Sequence, residues 1–131
     1  MSKSDQQGYV DRVVASWTDT HKKGTLMLFV LLALRERPAW SAELTDFIAD
    51  LTDGHIAVDP QSLHRSLRRL VGLNLITFTE HPVPGTGAKR KTYELTQTGE
   101  EVLGQLARRT LSYARNNRYL GALESIATTP A

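Results

Sequence analysis

The sequence predicts a mainly α-helical domain (α+β) with one small β-hairpin, and three observations predict it. Apolar residues recur at helical spacing through most of the chain. Two short β-rich runs, LITFT at 75–79 and KTYEL at 91–95, flank a stretch rich in Pro and Gly. Positive charge is gathered in one block: residues 60–92 hold six Lys/Arg against one acid, Glu80, whereas the remainder holds ten against thirteen. A basic block on an otherwise mildly acidic chain is the footprint expected of a nucleic-acid surface.

Composition narrows the function classes. A chain of 131 residues that is 40% hydrophobic has enough material for one domain with its own core. It contains no cysteine, which excludes disulfides, thiolate catalysis and Cys-based zinc sites. The longest apolar run, residues 26–34, is nine residues, against the roughly 20 a membrane helix needs. The opening MSKSDQQGYVDR lacks the apolar region of a signal peptide, so the expected compartment is the cytoplasm. The four histidines, His21, His55, His64 and His81, are scattered, with none three or four residues from another. His55 near Asp53 and His81 near Glu80 read as ordinary loop pairs. The GTG at 85–87 falls in the hairpin loop, where glycine serves a turn and not a phosphate cradle. No catalytic residue, metal site or cofactor is expected.

Taken in order, residues 1–7 are polar and expected to be disordered. Residues 8–20 form an N-terminal helix striped by Tyr9, Val10, Val13, Val14 and Trp17, with 18–20 expected to punctuate the chain. From about Lys23 to Arg37 a second helix follows, apolar all round over 26–34 and hence the expected centre of the core. A short strand is the competing reading there; Ala33, the leucines and the charged RER end favour helix, and Pro38 closes it. Ser41 is the expected N-cap of the next helix, with Glu43 in its first turn and Leu44, Phe47, Ile48 and Leu51 on its apolar face. Thr52-Asp53-Gly54 ends it at a glycine.

The stretch 59–70, DPQSLHRSLRRL, carries the chemistry. Asp59 is a good N-cap and Pro60 suits the first helical position. Leu63, Leu67 and Leu70 draw one apolar stripe, leaving Gln61, Ser62, His64, Arg65, Arg68 and Arg69 to present donors. Those donors suit phosphate oxygens and base edges; an ordinary solvated helix face has the same composition. After the helix, Asn74 is one of the few non-glycine residues that accepts a left-handed conformation. A hairpin then follows whose long loop, 80–90, ends in the basic cluster of Lys89, Arg90 and Lys91. Two helices joined by a short turn and followed by a basic hairpin make a winged helix-turn-helix, assigned to residues 21–98 as a DNA-binding domain.

From Thr96, a helix N-cap, the chain reads as a C-terminal dimerisation helix or helices over 99–127. Asn116-Asn117 marks a break, and a disordered tail follows at 128–131. The N-terminal stripe is too apolar to leave in water and is expected to pack on the core or on another subunit. The sparser C-terminal one has too little to bury alone and is expected to pack against a partner's N-terminal helix, with a surface helix of a monomer as the alternative. Tyr9, Val13, Trp17, Leu106, Tyr113, Leu120 and Leu123 are the candidate dimerisation residues. Trp17 and Trp40 read as core residues, with the lining of an effector pocket as their other role.

The segments KGTLMLFVLLALRERPAWSAEL, DPQSLHRSLRRL, GLNLI and RKTYELTQTGEEVL resemble, in that order, the PadR family of bacterial transcriptional regulators. The resemblance spans about residues 23–106 and implies a winged-helix dimer whose terminal helices make the subunit contact. It further implies a protein that represses promoters and is released by small molecules or other signals. Ser62, Leu63, Leu67, Arg69 and Leu70 fall on the family's recognition-helix pattern, and Arg90, Lys91, Tyr93, Leu95 and Thr96 on its wing pattern. Ser41-Ala42 stands where the family usually has Gly-Tyr, His64 where it has tyrosine, Thr92 where it often has an aromatic, and Asn74 where it has glycine. The expected function is a sequence-specific DNA-binding transcriptional regulator: a repressor that binds double-stranded DNA at an inverted-repeat operator as a homodimer. An effector of unknown identity, a small molecule being one candidate, is expected to release it. The alternatives are a winged-helix protein-interaction adaptor with little DNA affinity and an RNA-binding winged helix, the latter lacking aromatics arranged for base stacking.

Overall fold

The computed structural model describes residues 2–128, which form five helices and one hairpin. Helix α1 (Lys3–Glu36) is capped by Ser2, whose hydroxyl accepts the Asp5 N–H. It runs unbroken for 34 residues, about 50 Å at 1.5 Å per residue. This corrects two expectations. Residues 3–7 are helical, and 18–20 do not punctuate the chain. The Ser2 cap starts the helix ahead of residues 3–7, and the Thr18, Thr20 and Thr25 hydroxyls are accommodated within it, each donating to the carbonyl four residues back, at 2.8, 3.1 and 2.9 Å.

Only the second half of α1 enters the core. Leu26, Val30, Leu31, Ala33 and Leu34 are buried, while Met27, Leu28, Phe29 and Leu32 are partly covered, so the segment is central without being buried all round. The core is completed by Leu44 and Ile48 of α2 (Ser41–Leu51) and by Leu63, Leu67 and Leu70 of α3 (Pro60–Gly72). Trp40, not Ser41, is the N-cap of α2. The Glu43 carboxylate accepts the Trp40 N–H at 3.2 Å and ties that residue to the first turn, which leaves Ser41 as the first helical residue. The turn between α2 and α3 uses left-handed backbone at Asp53 and Gly54, and Asn74 takes the same conformation after α3, as its side chain permits.

Strands β1 (Ile76–Pro82) and β2 (Lys89–Leu95) pair antiparallel from Ile76↔Leu95 to Pro82↔Lys89. The hairpin loop is therefore 83–88, shorter than the expected 80–90, with Gly85 and Gly87 at positive φ. A Pro/Gly-rich composition made the loop look longer; Pro82 is tolerated at the strand end, where no ladder N–H is needed. Lys89 and Arg90 consequently lie on a strand. A single residue, Ala39, pairs with the outer edge of β2 through two bonds with Tyr93, of 3.0 and 2.8 Å, adding a third, one-residue strand.

Helix α4 (Gln97–Ala114) is capped by Thr96, whose hydroxyl accepts the Gly99 N–H at 3.0 Å and donates to the Asn74 carbonyl at 2.7 Å. The Thr96 N–H reaches the Leu75 carbonyl at 3.1 Å. These bonds bring the start of α4 directly onto the α3–β1 turn, and Gly99 is buried there. As anticipated, the C-terminal helix breaks at Asn116, whose side chain caps α5 (Asn117–Ala127). Of the expected tail at 128–131, Thr128 closes α5, and 129–131 lie outside the described residues.

Candidate nucleic-acid interface

Helix α3 owes its direction to its cap. Asp59 accepts the Ser62 N–H at 2.9 Å and the Ser62 hydroxyl at 2.7 Å, and Arg65 donates to that same hydroxyl at 3.3 Å. The Ser62 N–H and hydroxyl, with the Arg65 charge beyond, hold the Asp59 carboxyl below its ordinary value of 3.8. A lowered carboxylate contributes stability above the unfolded value and loses it as pH falls through the folded one. Asp59→Ala is thus expected to lower the melting temperature and fray the start of α3 at pH 7, with Asp59→Asn, which keeps an acceptor oxygen but loses the charge, in between. The gap between Asp59→Ala and wild type should begin to narrow as pH falls below about 3.8 and keep narrowing down to the lower folded value, and a gap unchanged at pH 3 would refute the assignment.

With Leu63, Leu67 and Leu70 fixed inward, the helical spacing turns Gln61, His64, Arg65, Arg68 and Arg69 outward, and all five are exposed. Ser62 differs from its expected role. It is half-buried and its hydroxyl is engaged in the cap; together with Arg65 and Arg69 it lines a groove toward α1, whereas His64 and Arg68 face the hairpin. The three arginines make no salt bridge among the described residues, so their charge is available to a polyanion.

The hairpin supplies the second basic element, and its three cations are not equivalent. Lys89 approaches Glu80 at 3.9 Å, an exposed and long pair. Lys91 sits over the Phe78 ring, 4.5 Å from its centroid, and Arg90 lies over Trp40 at 3.7 Å. Between hairpin and α3 opens a cleft of about 420 Å³ walled by His64 and Arg68 on one side and by Lys89, Arg90 and Lys91 on the other. Tyr93 lines it too, and burial pushes its phenol above the ordinary value while the Arg68 charge partly offsets this, so the hydroxyl stays a neutral donor. Trp40 also lines the cleft, half-buried. Sequence reasoning favoured the core over a pocket lining for it; its place follows from the pairing of Ala39 with Tyr93, which leaves no signal in the sequence.

The candidate dimerisation residues stand apart from this face. Tyr9, Val13, Trp17, Tyr113, Leu120 and Leu123 are all exposed, joined by Val10, Val14, Leu111, Tyr119 and Ile126. Trp17 is 64% exposed and stacks on His21 with ring centroids 4.9 Å apart, which corrects its expected place in the core. Leu106 is partly buried against the chain's own core. The remaining histidines have ordinary surroundings: His55 contacts the Thr52 carbonyl through Nδ1 at 2.9 Å, and His81 lies opposite Arg90 in the hairpin. Among the described residues, no helix is long and apolar enough to cross a membrane.

The profile of the transcriptional regulator PadR-like family matches residues 30–105, from the buried part of α1 to the packed part of α4. A PadR family transcriptional regulator from Eggerthella lenta superposes with a TM-score of 0.65 at 25% identity, over 93% of this chain and 98% of that one. A PadR-like transcription factor from Bacteroides fragilis gives 0.60 at 27% identity, over 82% and 98%. A PadR-like regulator from Bacillus cereus, at 20% identity, shares the fold with a TM-score of 0.62 over 85% and 99%. No curated protein sequence matches significantly. Helix-turn-helix, basic hairpin and family match agree, and the chain belongs to the PadR-like family, whose members are transcriptional regulators and not enzymes.

Proposed function

We propose that the protein is a homodimeric repressor that seats α3 of each subunit in the major groove of an inverted-repeat operator. The observation that carries this reading is the row of exposed, unbridged donors on α3, from Gln61 to Arg69, on a helix whose other side is locked into the core. Gln61 suits adenine and Arg65 suits guanine, each through two hydrogen bonds worth about 1–3 kcal/mol of discrimination. Lys89, Arg90 and Lys91 suit the phosphates flanking the groove, which position the protein without reading bases. Arg68 and Arg69, further along α3, add charge toward the backbone.

Dimerisation is supported by the terminal helices. α1 leaves Tyr9, Val10, Val13, Val14 and Trp17 exposed, and α5 leaves Tyr119, Leu120, Leu123 and Ile126 exposed, two runs of large apolar side chains of the kind that mark an interaction surface. A two-fold pairing through these stripes sets the distance between the two α3 helices. Any effector that shifts the pairing changes that distance, which is how a small molecule would release the operator.

Footprinting on DNA upstream of the protein's own gene tests this reading. Two symmetry-related protected half-sites are expected, their centres about 34–36 Å apart or a multiple of it. A single asymmetric site contradicts the dimeric arrangement, and no sequence-dependent protection at all favours the protein-interaction adaptor.

A further inference from the structure

We propose that Trp40 is a positioning residue for DNA binding: its ring holds the Arg90 guanidinium at the mouth of the cleft, ready for a backbone phosphate. The inference rests on the reading of α3 and the hairpin as a DNA interface and adds to it a residue from outside both elements.

The placement follows from the backbone. Ala39 pairs with Tyr93, so Trp40, one residue on, runs abreast of Thr92 on the antiparallel edge of β2. Arg90 is two residues from Thr92 and shares its face of the strand. The guanidinium carbon accordingly lies 3.7 Å from the centre of the Trp40 ring. A guanidinium held over a ring by cation–π attraction uses none of its lone-pair-seeking N–H donors on a protein acceptor, so they remain for an anion. An exposed arginine otherwise loses rotamer freedom when it grips an anion; here the ring has restricted it beforehand. Arg68 and His64 stand on the opposite wall, and no carboxylate lines the cleft among the described residues. One anionic group entering between Arg68 and Arg90 meets donors from both sides. The neighbouring cations lack this arrangement, since Lys89 is drawn toward Glu80 and Lys91 is a point charge over Phe78.

The test is a set of anisotropy titrations of the full-length protein with duplex upstream DNA at several salt concentrations, with melting temperatures measured alongside. Trp40→Leu keeps apolar bulk but removes the aromatic face, and Trp40→Phe keeps a face. Trp40→Leu should weaken binding about threefold to tenfold, while Trp40→Phe stays near wild type. Arg90→Ala should flatten the log–log salt slope by roughly two units for a dimer, one phosphate contact per subunit. In the Trp40→Leu background, Arg90→Ala should cost less than it does in wild type, because the contact is already loosened. Arg90→Lys, a surface change that keeps the charge and leaves the fold alone, should weaken binding in wild type but not in Trp40→Leu. The inference is overturned if Trp40→Leu binds like wild type, if Trp40→Phe is as weak as Trp40→Leu, or if the Trp40 and Arg90 changes are additive. Wild type that binds DNA with an unaltered slope in Arg90→Ala sinks the inference alone. Wild type that binds no DNA sinks the underlying reading with it.

Discussion

Gly99→Ala is expected to lower the melting temperature by about 10 °C, a large effect for one methyl group. A Cβ at this position would overlap the Leu75 carbonyl oxygen and lie 3.0 and 3.1 Å from the Leu75 carbonyl carbon and a Leu95 methyl. Two of those three atoms are backbone, so a side-chain rotation cannot make room. The start of α4 has to move, and with it go the bonds from Thr96 to Asn74 and Leu75 that join α4 to the α3–β1 turn. Overpacking of this kind costs about 3 kcal/mol, near the upper end of the usual range. A thermal melt followed by circular dichroism decides it, and a drop of less than about 3 °C contradicts the packing described. Gly104→Ala is the control, because there only the flexible end of Arg108 is near.

A chain ending at Arg109 is expected to keep its fold and lose its dimer. Leu103 and Leu106 are the last residues of α4 that pack on the core, and of 110–128 only Thr110 and Ala114 are even half-buried. Removing that segment leaves the winged helix intact and takes away the surface proposed to cover the α1 stripe of the second subunit. Operator affinity should fall by about 10²- to 10⁴-fold, the usual gain from engaging two linked half-sites. Light scattering at micromolar concentration gives the mass directly. A truncated chain that remains a dimer, or a full-length chain that runs as a monomer, contradicts the assembly proposed.

How much of this was readable from the residues depends on how local the cause was. The α2 and α3 stripes, the left-handed Asn74 and the break at Asn116 are set within a few residues, and the sequence displays them. The 34-residue span of α1 was hidden because threonine has low helix propensity and reads as punctuation, whereas the helix tolerates it with the hydroxyls bonded back to carbonyls four residues earlier. The extent of the hairpin was hidden because composition reports turn residues, whereas the register with β2 fixes where strands stop. The site was legible to a similar degree. The outward residues of α3 follow from its leucine stripe, but the Trp40–Arg90 pair depends on a one-residue bridge, and the burial of Gly99 on a contact 24 residues back along the chain. Neither leaves a periodic trace.

The central claim is that α3 reads bases while the hairpin grips phosphates, and titration of operator and scrambled duplexes across a range of salt tests it most directly. Arg65→Ala or Gln61→Ala should narrow the gap between the two duplexes by about tenfold, with little change in salt slope. Replacing Lys89, Arg90 and Lys91 together by alanine should weaken both duplexes alike and flatten the slope by several units, about 0.9 for each phosphate no longer neutralised. A hairpin variant that keeps its salt slope and loses its preference for the operator would show that the two elements have been assigned the wrong way round.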